Sequence, residues 1–141
     1  MPPQALTFSL TSGPTNATID PSTGAFSFRP LVSQAGATCP ITVTVTDNGA
    51  GNLSASQSFN VFVNTLTQPD ISSPTLVGGQ FNLAVDGQSG PDYAVQASTN
   101  LVDWQTVFST NSPAMPFQWA DPNAGTFPMR FYRIIVGPPL P

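Results

Sequence analysis

The stretch that decides the fold is Ile41-Thr42-Val43-Thr44-Val45-Thr46-Asp47-Asn48-Gly49. Its β-branched apolar residues fall at every second position with threonines between them. That places valine and isoleucine on one face of a strand and hydroxyls on the other, a pattern with no sensible helical reading. Asp47-Asn48-Gly49-Ala50-Gly51-Asn52 supplies a turn, and Ser58-Phe59-Asn60-Val61-Phe62-Val63 returns in the same period, so the segment predicts a β-hairpin.

Outward from this hairpin the period of two recurs in short runs. Leu6, Phe8 and Leu10 share a face, as do Phe26 and Phe28. The alternation lapses from Asn64 to Gly79, through Gln68-Pro69 and Ser73-Pro74, and a domain boundary is expected near Gln68 to Pro69. Beyond it come Phe81, Leu83 and Val85 on one face, then Tyr93, Val95 and Ala97, a shorter run from Trp104 to Phe108, Phe117 to Trp119, and a last strand from Arg130 to Val136. The final prolines, Pro138, Pro139 and Pro141, cannot continue a central ladder and predict a tail. The fold class read from this is all-β: two small antiparallel sandwiches in tandem, residues 1–67 and 68–141. The expected cores are Phe8, Phe28, Val43, Val45, Phe59 and Val61 in the first, and Leu83, Val95, Trp119 and Phe131 in the second.

In the last strand Phe131 and Ile135 share a face with Arg133, while Tyr132, Ile134 and Val136 occupy the other. Both faces are substantially apolar, so a cover over the outer one is expected from the first domain, the proline tail or another chain.

Composition narrows the function. Charged residues make up 7% of the 141 residues, the net charge is -4, and there is no Glu, Lys or His. A Ser-His-Asp or Cys-His triad, a Schiff base, an imidazole metal site and a P-loop lysine are therefore closed, and no catalysis is expected. Three scattered arginines do not make a nucleic-acid footprint. No apolar run reaches the roughly 18 residues of a membrane span, so no membrane insertion is expected. Met1-Pro2-Pro3-Gln4 lacks the basic and apolar segments of a signal peptide. Cys39 has no internal partner and predicts no internal disulfide; an unpaired thiol is expected, with pairing between chains as the alternative.

The segments Leu6–Pro30 and Ile41–Asn64, with "IDPSTGAFSF" and "VTVTDNG", resemble the immunoglobulin-like and cadherin-like repeats of large bacterial surface proteins. The later segments "FNLAVDG", "YAVQASTNLVDWQTV" and "DPNAGTFPMRFYRIIVG" are similar to the fibronectin-III-like or immunoglobulin-like C-terminal modules of secreted verrucomicrobial and planctomycete proteins. These resemblances imply an extracellular or cell-surface location and a structural, adhesive or spacer role. The implied partners are other copies of the chain, the rest of a larger surface protein, or polysaccharide. Complete repeats of the first kind carry two further strands before the segment at Leu6, with a proline-rich turn such as Pro2-Pro3. Without those strands an open ladder is expected at Thr7 and Ser9, with Leu6, Phe8 and Val43 exposed, to be filled by an extended segment of another copy or of the parent protein.

The same resemblance makes Asp47 and Asp20 calcium candidates, because Asp47 in "TDNG" matches a cadherin-like ligand and hard cations take several oxygen ligands. The simpler reading makes both turn residues whose carboxylates accept backbone hydrogen bonds. Trp104, Trp119, Tyr93 and Tyr132 are candidates for a sugar-stacking platform, although Trp119 shares a face with Phe117 and Tyr93 with Val95, as core residues do. Thr42, Thr44 and Thr46 read as the solvated face of a single strand.

Overall fold

The structure, a computed structural model, describes residues 4–140. Pro2 and Pro3, read as a proline-rich turn, and the last tail proline, Pro141, lie outside them. Among the described residues there are eleven strands, two single 3-10 turns and no α-helix; every strand pairing is antiparallel. The chain divides between Thr65 and Leu66, two residues before the boundary expected from the sequence.

In the first unit β1 (Leu6–Ser12), β4 (Thr38–Asp47) and β5 (Ser54–Phe62) form one sheet in the order β1-β4-β5, and β2 (Ala17–Ile19) pairs with β3 (Phe26–Phe28) in a short hairpin. The register sets Phe8 against Val45, Leu10 against Val43, and Ile41 against Phe59, so all share one face. Phe26 of the hairpin meets Phe59 edge to face at 5.6 Å. Gly24, at φ +73, allows the β2–β3 turn to close onto the Phe8 ring, where a Cβ would sit 3.1 Å from it.

The buried core of this unit is smaller than expected, and partly different. Ala17, Cys39 and Ile41 are its buried apolar residues among those described. Phe8, Phe28, Val43, Val45 and Val61 are half-buried and Phe59 is exposed, because a two-stranded hairpin is too narrow to cover a three-stranded sheet. Cys39 is a free thiol inside this core.

In the second unit β10 (Phe117–Asp121), β7 (Gln80–Asp86) and β6 (Asp70–Val77) form one sheet, and β11 (Phe131–Gly137), β8 (Asp92–Ser98) and β9 (Gln105–Thr110) another. Strand β6 runs through the segment where the alternation lapses. The β6–β7 register shifts between Ser72 and Thr75, with Ser73 at φ +51. A bulge on an edge strand tolerates Pro74 and breaks the period of two, which hides the strand from pattern reading.

Leu83, Val85 and Tyr93 are buried between the sheets, with Ile71, Phe81, Met115, Phe117, Trp119, Ile134 and Val136 packed on them. Val95 is buried too. Phe131 does not join this cluster: Tyr132, Ile134 and Val136 pair with the inward residues Ala97, Val95 and Tyr93, so the alternation turns Phe131 to the opposite face, across from Ser98.

Strand β8 is buried on both faces along its whole length. On the outer face β8 is covered from within the unit, by side chains of the strands beside it. Arg133 Nε donates to Gln96 Oε1 at 2.9 Å, Gln96 Nε2 donates to Thr106 Oγ1 at 3.2 Å, and the Arg133 guanidinium lies 4.2 Å above the Trp104 ring.

Candidate interaction surface

The β1–β4–β5 sheet presents a second face made mostly of hydroxyls, which gives way to Pro40, Asn60 and Phe62 at one end. The register aligns Thr7, Thr46 and Ser54 in one row, Ser9, Thr44 and Ser56 in the next, then Thr42 and Ser58 beside Thr11 and Ser12 at the β1 bulge. Thr44 and Ser56 hydroxyls are 2.7 Å apart, Thr42 and Ser58 2.9 Å, and Thr11 and Thr44 3.2 Å. Thr42, Thr44 and Thr46 are thus the middle column of a three-strand array and are half-buried, not the open face of one strand. The sequence signal for the extra column was Ser54-Ala55-Ser56-Gln57-Ser58. Its alternation carries no large apolar residue and is read only once β4 is beside it.

The array ends at two different edges. On β1, Phe8 N–H donates outward to Pro21 O at 2.9 Å. By antiparallel alternation Thr7 and Ser9 then turn their main-chain groups inward, toward β4. This corrects the expected open ladder at Thr7 and Ser9: the β2–β3 turn folds back and seals that edge at Phe8.

Strand β5 is different. Because Thr44 and Thr46 face β1, Val43 and Val45 exchange the hydrogen bonds with Gln57 and Ala55 of β5. The main-chain groups of Ser54, Ser56, Ser58 and Asn60 therefore point away from the sheet. Among the described residues no backbone group pairs with them; Gln57 Nε2 reaches back to Ser58 O at 3.2 Å. Exposed apolar side chains are spaced along this strand and not gathered on one face: Leu53 just before it at 70% accessibility, Phe59 on the apolar face at 41%, and Phe62 at its end, in phase with the serines, at 74%.

Asp20 and Asp47 sit in separate turns. Asp20 Oδ1 accepts from Ser22 Oγ at 2.7 Å, Thr23 N–H at 2.8 Å and Ser22 N–H at 2.9 Å, and these bonds, led by the Ser22 hydroxyl, hold its pKa down at about 2. Asp47 Oδ1 accepts from Gly49 N–H at 3.0 Å and Leu53 N–H at 3.1 Å and so closes the β4–β5 turn. Among the described residues no cluster of three acidic or thiol side chains gathers in a metal-binding arrangement.

The aromatic candidates divide. Trp119 and Tyr132 meet edge to face at 5.8 Å, and Tyr93 lies 5.9 Å from Phe117, all between the two sheets of the second unit. Trp104 stands apart, its indole N–H donating to Leu101 O at 3.1 Å and one ring face taken by Arg133.

One polar cluster in the second unit has no signature in the sequence. Asp121 is buried; its Oδ2 lies 2.8 Å from Arg130 Nε and accepts from the Tyr132 hydroxyl at 2.9 Å, and its Oδ1 accepts from Asn123 N–H. Burial and the adjacent carboxylate push the Tyr132 phenol up to about 12. Arg130 also lies 4.0 Å over the Phe127 ring. Beside this cluster an open depression of about 250 Å³ is lined by Ser98, Asn100, Asp103, Gln105, Phe127 and Arg130.

These features define an all-β protein of small antiparallel sheets carrying an uncharged hydroxyl face and an unprotected edge. No protein-family model, curated protein or solved structure matches the chain.

Proposed function

We propose that the chain is a non-catalytic structural or adhesive building block of an extracellular surface, its two units immunoglobulin-like and fibronectin-III-like spacers. The observation that carries this reading is the hydroxyl array of β1, β4 and β5, which contains no charged side chain and runs out to the bare edge of β5. Uncharged hydroxyl surfaces approach one another without Coulomb repulsion, and a total of ten charged side chains leaves little repulsion elsewhere. The likeness to bacterial surface-protein repeats supports the same reading.

A second reading, a carbohydrate-binding or spacer module attached to a secreted enzyme, is favoured by the depression beside Arg130, whose amide, hydroxyl and carboxylate groups suit a sugar. Affinity electrophoresis through gels containing soluble polysaccharides separates the two. A building block migrates as it does in the plain gel, and retardation by a polysaccharide replaces the first reading with the second.

A further inference from the structure

We infer that β5 is a homotypic docking edge, where a second copy of this chain adds its own β5 antiparallel around a two-fold axis to make one continuous six-stranded sheet, β1-β4-β5-β5-β4-β1. The inference rests on the building-block reading and names its contact.

Edge strands are ordinarily protected against such pairing by bulges, prolines, charges or covering segments. The other long edges here carry these devices. Strand β1 has a bulge between Leu10 and Ser12 and the Pro21 carbonyl over Phe8. Strand β6 has its bulge and Pro74, β9 shifts register where it passes Val95 and Gln96 of β8, and β11 carries Arg133. Strand β5 has nine residues, an unbroken register with β4, no proline and no charge.

The occupant follows from the pattern of the edge. An isologous contact requires a surface that complements itself under a two-fold rotation. Pairing Ser58 with Ser58 sets Ser56 against Asn60, which extends the hydroxyl face across the seam, and sets Ser54 against the exposed Phe62 at each end of it. It sets Gln57 against Phe59 and Ala55 against Val61, so the opposite face gains cover over the exposed Phe59. An uncharged edge meets its own copy without repulsion. A nine-residue strand is about 30 Å long, and two such edges bury on the order of 600 Å², the size of a weak, concentration-dependent contact.

Sedimentation velocity of the full chain over a concentration series, with amide exchange read at single residues, tests this. The expected result is a monomer–dimer equilibrium in which the Ser56, Ser58 and Asn60 amides exchange more slowly as concentration rises. Ser58→Pro removes an outward N–H that the internal ladder does not use, and Ser58→Lys sets like charges across the two-fold. Each is expected to weaken the dimer by at least about tenfold with the circular dichroism unchanged. A chain that stays monomeric at high concentration, a dimer that both variants leave intact, or exchange at these three amides that does not depend on concentration overturns the edge. A larger assembly insensitive to both variants overturns the edge and leaves the building-block reading standing, whereas that reading falls only on retardation by polysaccharide.

Discussion

Phe81 and Tyr132 stack face to face across the two sheets of the second unit, ring centroids 4.6 Å apart and planes 6° from parallel. The stack holds the Tyr132 hydroxyl against the buried Asp121, which ties β10, β11 and the Arg130 side chain together. Tyr132→Phe keeps the stack and removes the hydrogen bond, and is expected to lower the stability of this unit by about 1–3 kcal/mol in denaturant unfolding.

The same hydroxyl gives the protein an alkaline limit. With the folded pKa near 12 and the ordinary value at 10, the unfolded chain releases its proton first. The contribution is full below pH 10 and is lost as pH rises toward 12. Melting temperature is expected to fall through this window and to fall less in Tyr132→Phe. A residual slope remains from Tyr93, whose pKa burial also raises.

Gly125 donates its N–H to Gly79 O at 2.7 Å, and a Cβ on it would lie 2.8 Å from Gly79 Cα. Backbone on both sides leaves nothing flexible to yield. Gly125→Ala is expected to cost about 1–3 kcal/mol by levering the 121–130 loop off the β6–β7 turn, and amide shifts should change at Gly79 as well as at residue 125.

Asp20 sets an acid limit on the first unit. Its folded pKa of about 2 lies below the usual 3.8, so its contribution is present above 3.8 and is lost as pH falls toward 2. Asp20→Asn is expected to flatten that loss, followed through the amide signals of residues 17–28. Since three donors already occupy Asp20 Oδ1 and two occupy Asp47 Oδ1, added calcium is expected to leave the melting temperature unchanged.

Ile41 has no solvent exposure and anchors a core with few other buried side chains. Ile41→Ala is expected to cost about 2–5 kcal/mol, a large share of what so small a core supplies. Both tryptophans lie in the second unit, so loss of first-unit amide signals with unchanged tryptophan emission is the expected result.

The alternation of Ile41 to Thr46 with the Asp47–Asn52 turn determined the β4–β5 hairpin, because a period of two with β-branched residues has one low-energy backbone solution. The same local logic determined the inward faces of β7 and β8, the turn roles open to Asp20 and Asp47, and the chemistry that a chain without His, Lys or Glu lacks. What needed the tertiary structure was everything set by which strand lies beside which. Strand β6 was hidden by the bulge at Ser73-Pro74. The first four residues of β5 were hidden because Ser54 to Gln57 pair with β4 without an apolar pattern of their own. The side of β11 that faces the core was decided by its register with β8, which turned Phe131 out and Tyr132 in. Asp121, Arg130 and Tyr132 come from a loop and two strands, and nothing in their spacing foretells the contact. The seal on β1 and the bare edge of β5 likewise depend on where the β2–β3 turn folds back: hydrogen-bond partners across a sheet are long-range contacts, and local sequence carries only half of each pair.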